Sequence, residues 1–157
     1  METQYHDKYQ EPAQLSISRT YNVVPEKVWR AWTEPQALSQ WFGPGEAPSV
    51  TTAEIDLRVG GRYRIVFSTP DGDTHEVSGV YQEVVPHRRL VFTWAWKSTP
   101  ERVSRVSIDL KLLPSGCGLS FVHDRFFDAE ARANHERGWM AFFDKLGTFL
   151  HLNPQEA

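Results

Sequence analysis

From residue 50 onward the chain is written as one alternating segment after another, and then, without a proline, as one long amphipathic run to residue 152. Leu90, Phe92, Trp94 and Trp96 alternate with Val91, Thr93 and Ala95. Val106, Ile108, Leu110 and Leu112 alternate with Arg105, Ser107, Asp109 and Lys111. A period of two puts each set on its own face of a strand. The same reading predicts strands over 50–57, 62–69, 74–85 and 119–124, separated by turn residues at 59–61, 70–73, Pro86 and 114–118. Six strands in a row with short turns make an antiparallel meander.

The closing run changes the period. Trp139, Phe142, Phe143, Leu146, Phe149 and Leu150 follow i, i+3, i+4 spacing, with Asp128 placed to cap the start and Glu130 in the first turn. At about 1.5 Å per residue this helix runs for over roughly 30 Å, enough to cross a small sheet. Ahead of the meander, Leu15, Ile17, Arg19 and Tyr21 alternate with Ser16, Ser18 and Thr20 as a first strand. Pro25 and Pro35 then open two short helices, over 25–33 and from 35 through Trp41 and Phe42, before Gly43-Pro44-Gly45 stops the second. Residues 1–13 and 153–157 read as flexible tails around a single domain at 14–152.

Strand, two short helices, six strands, long helix: the packing solution is an α+β helix-grip, a curved antiparallel sheet wrapped around the C-terminal helix. The 157 residues are enough for a full core without disulfides or a structural metal. A net charge of −3 with no block of like charges excludes nucleic acid and anionic lipid as main partners. The single Cys117 cannot close an internal disulfide, which points to a reducing, cytoplasmic setting. No apolar run is long enough to span a bilayer, and the first residues do not form a secretion signal.

Facing inward would be Tyr63, Phe67, Phe92, Trp94, Trp96, Phe121 and His123 from the sheet, against Trp139, Phe143 and Leu146 from the helix. Residues this bulky either fill the space between the layers or leave a tunnel, and the short helices sit where they can gate its mouth.

Several separated stretches carry a resemblance as well. PEKVWRAWTEPQALSQWFGP (25–44), IDLRVGGRYR (55–64), GVYQEVVPHRRLVFTW (79–94), GLSFVHDRF (118–126) and GWMAFFDKL (138–146) occur in order and cover residues 15–150. Together they resemble the START-like SRPBCC superfamily, and within it the heat shock protein 90 ATPase activator homologue-like branch. The resemblance implies a helix-grip (START/Bet v 1-like) fold with a hydrophobic ligand cavity. It implies no single chemistry, because members include ligand carriers, polyketide cyclases and toxin-sequestering proteins. The eukaryotic activator has an additional N-terminal domain that makes much of its chaperone contact, and nothing before Leu15 corresponds to it, so chaperone contact is not expected here.

The expected function is therefore binding of a small apolar or aromatic molecule between sheet and helix. Tyr63, Phe67, Phe92, Trp94, Phe121, Trp139 and Phe143 would supply apolar contact, His123 one orienting hydrogen bond, and Trp41 with Phe42 a gate. His123 reads two ways, as a ligand partner or general base and as a core histidine satisfied by a backbone carbonyl. Trp41 and Phe42 also read two ways, as lid or as staple. Glu54 and Asp56 share a strand face, as do Arg62 and Arg64, and both pairs read as solvated. Cys117, in a turn, is expected to be exposed and carries no nucleophilic role. No catalytic residue, metal site or cofactor is assigned. A cyclase or lyase using the same cavity is the alternative, and a stress-response protein contacting a chaperone is a third. An edge strand offers a route to a homodimer.

Overall fold

A computed structural model of the chain describes residues 14–45 and 48–152, and the tails expected at 1–13 and 153–157 lie outside the described residues. The elements are β1 (Gln14–Tyr21), α1 (Pro25–Thr33), α2 (Pro35–Leu38), β2 (Val50–Ile55), β3 (Arg62–Ser68), β4 (Thr74–Val85), β5 (Arg89–Trp96), β6 (Ser104–Leu113), β7 (Gly116–Asp124) and α3 (Ala129–Leu152). All seven strands form one sheet in the order β1-β7-β6-β5-β4-β3-β2, with every neighbouring pair antiparallel. The meander reads straight across from β2 to β7, and β1 closes the far edge against β7.

The sheet curves around α3. Trp139 of α3 lies 4.6 Å from the Phe121 ring of β7 and 5.1 Å from the Trp94 ring of β5, centroid to centroid. α1 packs against β6, β7 and α3, and α2 against β2. Both begin with proline at the first helical position, where a missing N–H costs no hydrogen bond. Asp128 caps α3 as its sequence suggests, its carboxylate accepting the Ala131 N–H at 2.8 Å.

Alternation sorts the two faces. Val106, Ile108, Leu110, Leu119, Phe121 and His123 are buried under α3 or α1, while Arg105 pairs with Asp124, and Arg89 with Glu83 and Asp109, on the outer face. Glu54 sits 3.7 Å from Arg64, whose closer partner is Glu76 at 2.9 Å, so this strand-face carboxylate belongs to a cross-strand ladder of charges. β4 bends at a register shift between Tyr81 and Glu83. Nearby, Gly79 passes so close to β5 that a Cβ there would stand 1.9 Å from the Thr93 carbonyl oxygen. That same oxygen accepts the Tyr63 hydroxyl at 2.6 Å.

Four expectations are corrected. β2 ends at Ile55, because the chain turns straight after it: the Arg58 N–H donates back to Asp56 O and the Gly61 N–H to Arg58 O. α2 ends at Leu38, leaving Trp41 and Phe42 in turns. The β6–β7 hairpin is tighter than its sequence suggests: Gly116 opens β7 at φ 148°, so Cys117 lies inside a strand and is fully buried. Leu112, in phase with the inward set, lies near the hairpin end of β6 and is 72% exposed. Among the described residues, no helix is long and apolar enough to cross a membrane.

Candidate functional site

His123 is held by three elements. Strand phase turns it inward from β7, where it is fully buried. The Trp139 indole N–H donates to its Nδ1 at 3.0 Å, which leaves the ring proton on Nε2. Nε2–H donates in turn to Ser104 Oγ at 2.7 Å, and that hydroxyl donates to the Trp94 carbonyl at 3.2 Å. Both ring nitrogens are thus occupied inside the protein, by Ser104 and Trp139 rather than by a backbone carbonyl. Burial, with a smaller contribution from nearby His135, holds the imidazole well below its ordinary range and keeps it neutral.

His135, one helical turn before Trp139 on α3, repeats the device nearer the surface. Its Nδ1–H donates to Ala131 O at 2.7 Å, and its Nε2 accepts the indole N–H of Trp96 at 2.9 Å and of Trp94 at 3.3 Å. Burial lowers its pKa as well. Three tryptophans therefore spend their only polar atoms on two neutral histidines. With every imidazole lone pair committed, neither ring is placed as a general base.

These tryptophans wall a groove of about 460 Å³, open at one end of the grip. Phe67, Trp94, Trp96, Trp139 and Phe142 form its almost wholly apolar surface, and Thr69, His75, Ser98 and Asn134 also line it. Among the described residues, no carboxylate, lysine, arginine or cysteine lines it. Gly138 of α3 is part of the wall, and a Cβ there would meet nothing within 4 Å. Deeper between sheet and helix, packing is almost complete: the void bounded by Phe42, Tyr63, Phe92 and Trp94 measures about 20 Å³. A second chamber of about 420 Å³ shares Trp94, Trp96, Asn134 and His135 with the groove and extends to Arg102, Phe126 and Phe127.

The predicted residues accordingly separate. Phe67, Trp94 and Trp139 come together on the groove. Phe42, Tyr63 and Phe92 bound only the small inner void, and Phe121 and His123 are packed in the core. Phe143 faces a shallow depression with Arg19, Tyr21 and Gly147 on the other side of α3. Trp41 and Phe42 act as the staple: both are buried, and the Trp41 indole N–H is fixed on Ala31 O at 2.9 Å. Sequence reasoning passed over His135 and Phe142 as site residues, and placed Trp96 inward without giving it a role. The signal for His135 was its spacing, i−4 from Trp139 on the apolar stripe.

Residues 22–151 match the family described as Activator of Hsp90 ATPase homolog 1-like protein. The chain belongs to this family. Structures of the Activator of Hsp90 ATPase homolog 1-like kind share its fold. A Chromobacterium violaceum protein superimposes with a TM-score of 0.78 at 30% identity, covering 87% of this chain and 96% of that one. The AHSA1 protein from Silicibacter pomeroyi gives 0.78 at 28% identity, covering 90% and 99%. The human protein "Activator of 90 kDa heat shock protein ATPase homolog 1" is 34% identical over 87 residues, 55% of this chain. The chain spans 22% of the length of that relative. What the family supplies is the helix-grip frame; the indole–imidazole pairs and the groove are read from this chain's own side chains.

Proposed function

We propose that the protein binds a small, predominantly apolar organic molecule in the groove between β3, β5 and α3, as a binding protein rather than a catalyst. The carrying observation is the 460 Å³ opening walled by five aromatic rings, above a sheet–helix core in which the void between Phe42, Tyr63, Phe92 and Trp94 is only about 20 Å³. Gly138 supports it: a mid-helix glycine costs about 1 kcal/mol against alanine, and here the space kept free belongs to the groove rather than to a crowded neighbour. The site thus lies toward one end of the grip, outside its centre, and uses Trp96, Phe142 and His135 in addition to Phe67, Trp94 and Trp139. The lone buried Cys117 suits a reducing, cytoplasmic setting.

Titration with the neutral fluorophore N-phenyl-1-naphthylamine tests this. Saturable binding that Gly138→Leu abolishes, in a variant with an unchanged circular dichroism spectrum, supports the reading. No saturable binding, or binding that Gly138→Leu leaves intact, overturns it.

Similarity to the human activator favours a second reading, contact with an Hsp90-type chaperone. Leu57, Val59, Val85 and Leu112 are exposed at hairpin ends and would offer the apolar surface. Stimulation of an Hsp90 ATPase by the full chain, lost in a Leu57→Ser/Val59→Ser variant, is the corresponding test.

A further inference from the structure

We propose that the groove selects an organic cation whose charge sits on a fully alkylated nitrogen, the quaternary ammonium class. This rests on the ligand-binding reading above and narrows it to one chemistry. The rings around the groove meet at steep angles: Trp94 and Trp96 at 88°, Phe67 and Trp96 at 70°, Trp139 and Phe142 at 73°. Walls at such angles present aromatic surface from several directions around one space. An aromatic face is the negative part of its quadrupole and attracts a cation, with tryptophan the strongest of the three side chains.

The hydrogen bonds sharpen that preference. An indole N–H is the one strongly positive edge on which an anion or a carbonyl could settle. Here Trp94 and Trp96 give theirs to His135 Nε2, and Trp139 gives its own to His123 Nδ1. A donated N–H also leaves the ring richer in electron density, which strengthens its negative face. With no lysine or arginine among the described lining residues, a carboxylate would enter without a cationic partner.

The same inventory separates one cation from another. A primary ammonium brings three N–H donors that must be satisfied once water is left behind. Among the described residues the walls hold no carboxylate, and the His135 Nε2 lone pair is already shared by two indoles, which leaves only the neutral oxygens of Thr69, Ser98 and Asn134 to accept. A trimethylammonium group has no donor to satisfy and meets the rings through its methyl groups. Thr69, Ser98 and Asn134 can receive a polar substituent on the remainder of such a ligand. The chain's net charge of −3 does not oppose a cation.

Choline, its uncharged carbon isostere 3,3-dimethylbutan-1-ol, and ethanolamine isolate the charge from the shape. Each would be titrated into the full chain and its Gly138→Leu variant, followed by tryptophan fluorescence and by displacement of N-phenyl-1-naphthylamine. The expected result is choline binding roughly tenfold or more tighter than either comparison compound, lost in Gly138→Leu. Equal or tighter binding of 3,3-dimethylbutan-1-ol or ethanolamine overturns the cation assignment and leaves the apolar reading standing, provided the fluorophore still binds. Choline binding that survives Gly138→Leu overturns the location. Failure of all three compounds and of the fluorophore overturns both readings together.

Discussion

Trp139 of α3 donates its indole N–H to Nδ1 of His123 on β7 at 3.0 Å, and this bond fixes which imidazole nitrogen faces Ser104. A residue at the centre of the helix thus sets the protonation pattern of a buried residue near the end of β7. Trp139→Phe keeps an aromatic ring but strands the His123 lone pair in the core. The expected loss is about 1–3 kcal/mol by urea unfolding. Adding His123→Leu removes the stranded atom, so the double variant should lose less than the two single losses together. Strict additivity would mean that the bond contributes nothing.

Stability should fall as the solution is acidified from neutrality. Both histidines have folded-state pKa values below the ordinary 6.5, through burial. Above about that value folded and unfolded chains both carry neutral rings and the full stability is present. As pH drops below it, the unfolded chain takes up protons that the folded chain refuses. Unfolding then becomes easier by up to about 1.4 kcal/mol per pH unit for a fully buried ring such as His123, with half-buried His135 adding a smaller share. Urea midpoints at about pH 7.5 and about pH 5.5 measure the slope, and His123→Gln should flatten it. An unchanged slope in that variant would place the acid sensitivity elsewhere.

Gly138→Ala should raise stability by about 0.5–1 kcal/mol, because the added methyl meets open space and restricts the unfolded chain. A rise in the thermal midpoint together with weaker binding of N-phenyl-1-naphthylamine is the expected pair of results. A fall in the midpoint would mean that the helix needs the glycine for its own geometry.

Gly79→Ala should do the opposite. Its Cβ would lie 1.9 Å from the Thr93 carbonyl oxygen, which is backbone and cannot swing aside. Separating β4 from β5 there also disturbs the Tyr63–Thr93 bond. A loss of about 3 kcal/mol or more, or failure to accumulate as folded protein, is expected.

Cys117 is fully buried, and burial pushes its thiol pKa up. In the native protein it should resist an aromatic disulfide reagent for far longer than in urea-unfolded chain. Rapid modification of the native thiol would show that the β6–β7 hairpin opens readily.

The elements of this fold were legible because each rests on a local rule. β6 alternates without a break from Arg105 to Lys111, and both short helices start on a proline. Cys117 was harder, since Pro114, Ser115, Gly116 and Gly118 all signal a turn. The registered pairing of Tyr21 with Cys117 decides otherwise, and that partner lies at the opposite end of the sequence. The candidate site was half legible for the same reason. Strand phase sent Phe67, Trp94 and His123 inward correctly, but phase does not say which inward residues end up touching one another. His123 met Trp139 and Ser104 and was saturated; Trp94 and Trp96 met His135 and became a wall. Whether a space is filled depends on where a curved sheet parts from its helix, which no spacing encodes.

The strand order carries a consequence in time. β2 to β7 pair with their neighbours as they are made, but β1 must wait for β7, since Tyr21 pairs with Cys117, 117 − 21 = 96 residues later. At about 5–20 residues per second of synthesis, that wait is on the order of 5–20 s. During it, Leu15, Ile17 and Tyr21 have no sheet to cover them, and α3, made only after β7, has not yet supplied Trp139. The grip is thus closed by β1 and α3 only after the meander is made, and a chain released before residue 139 would hold a sheet whose histidine has no indole to answer it.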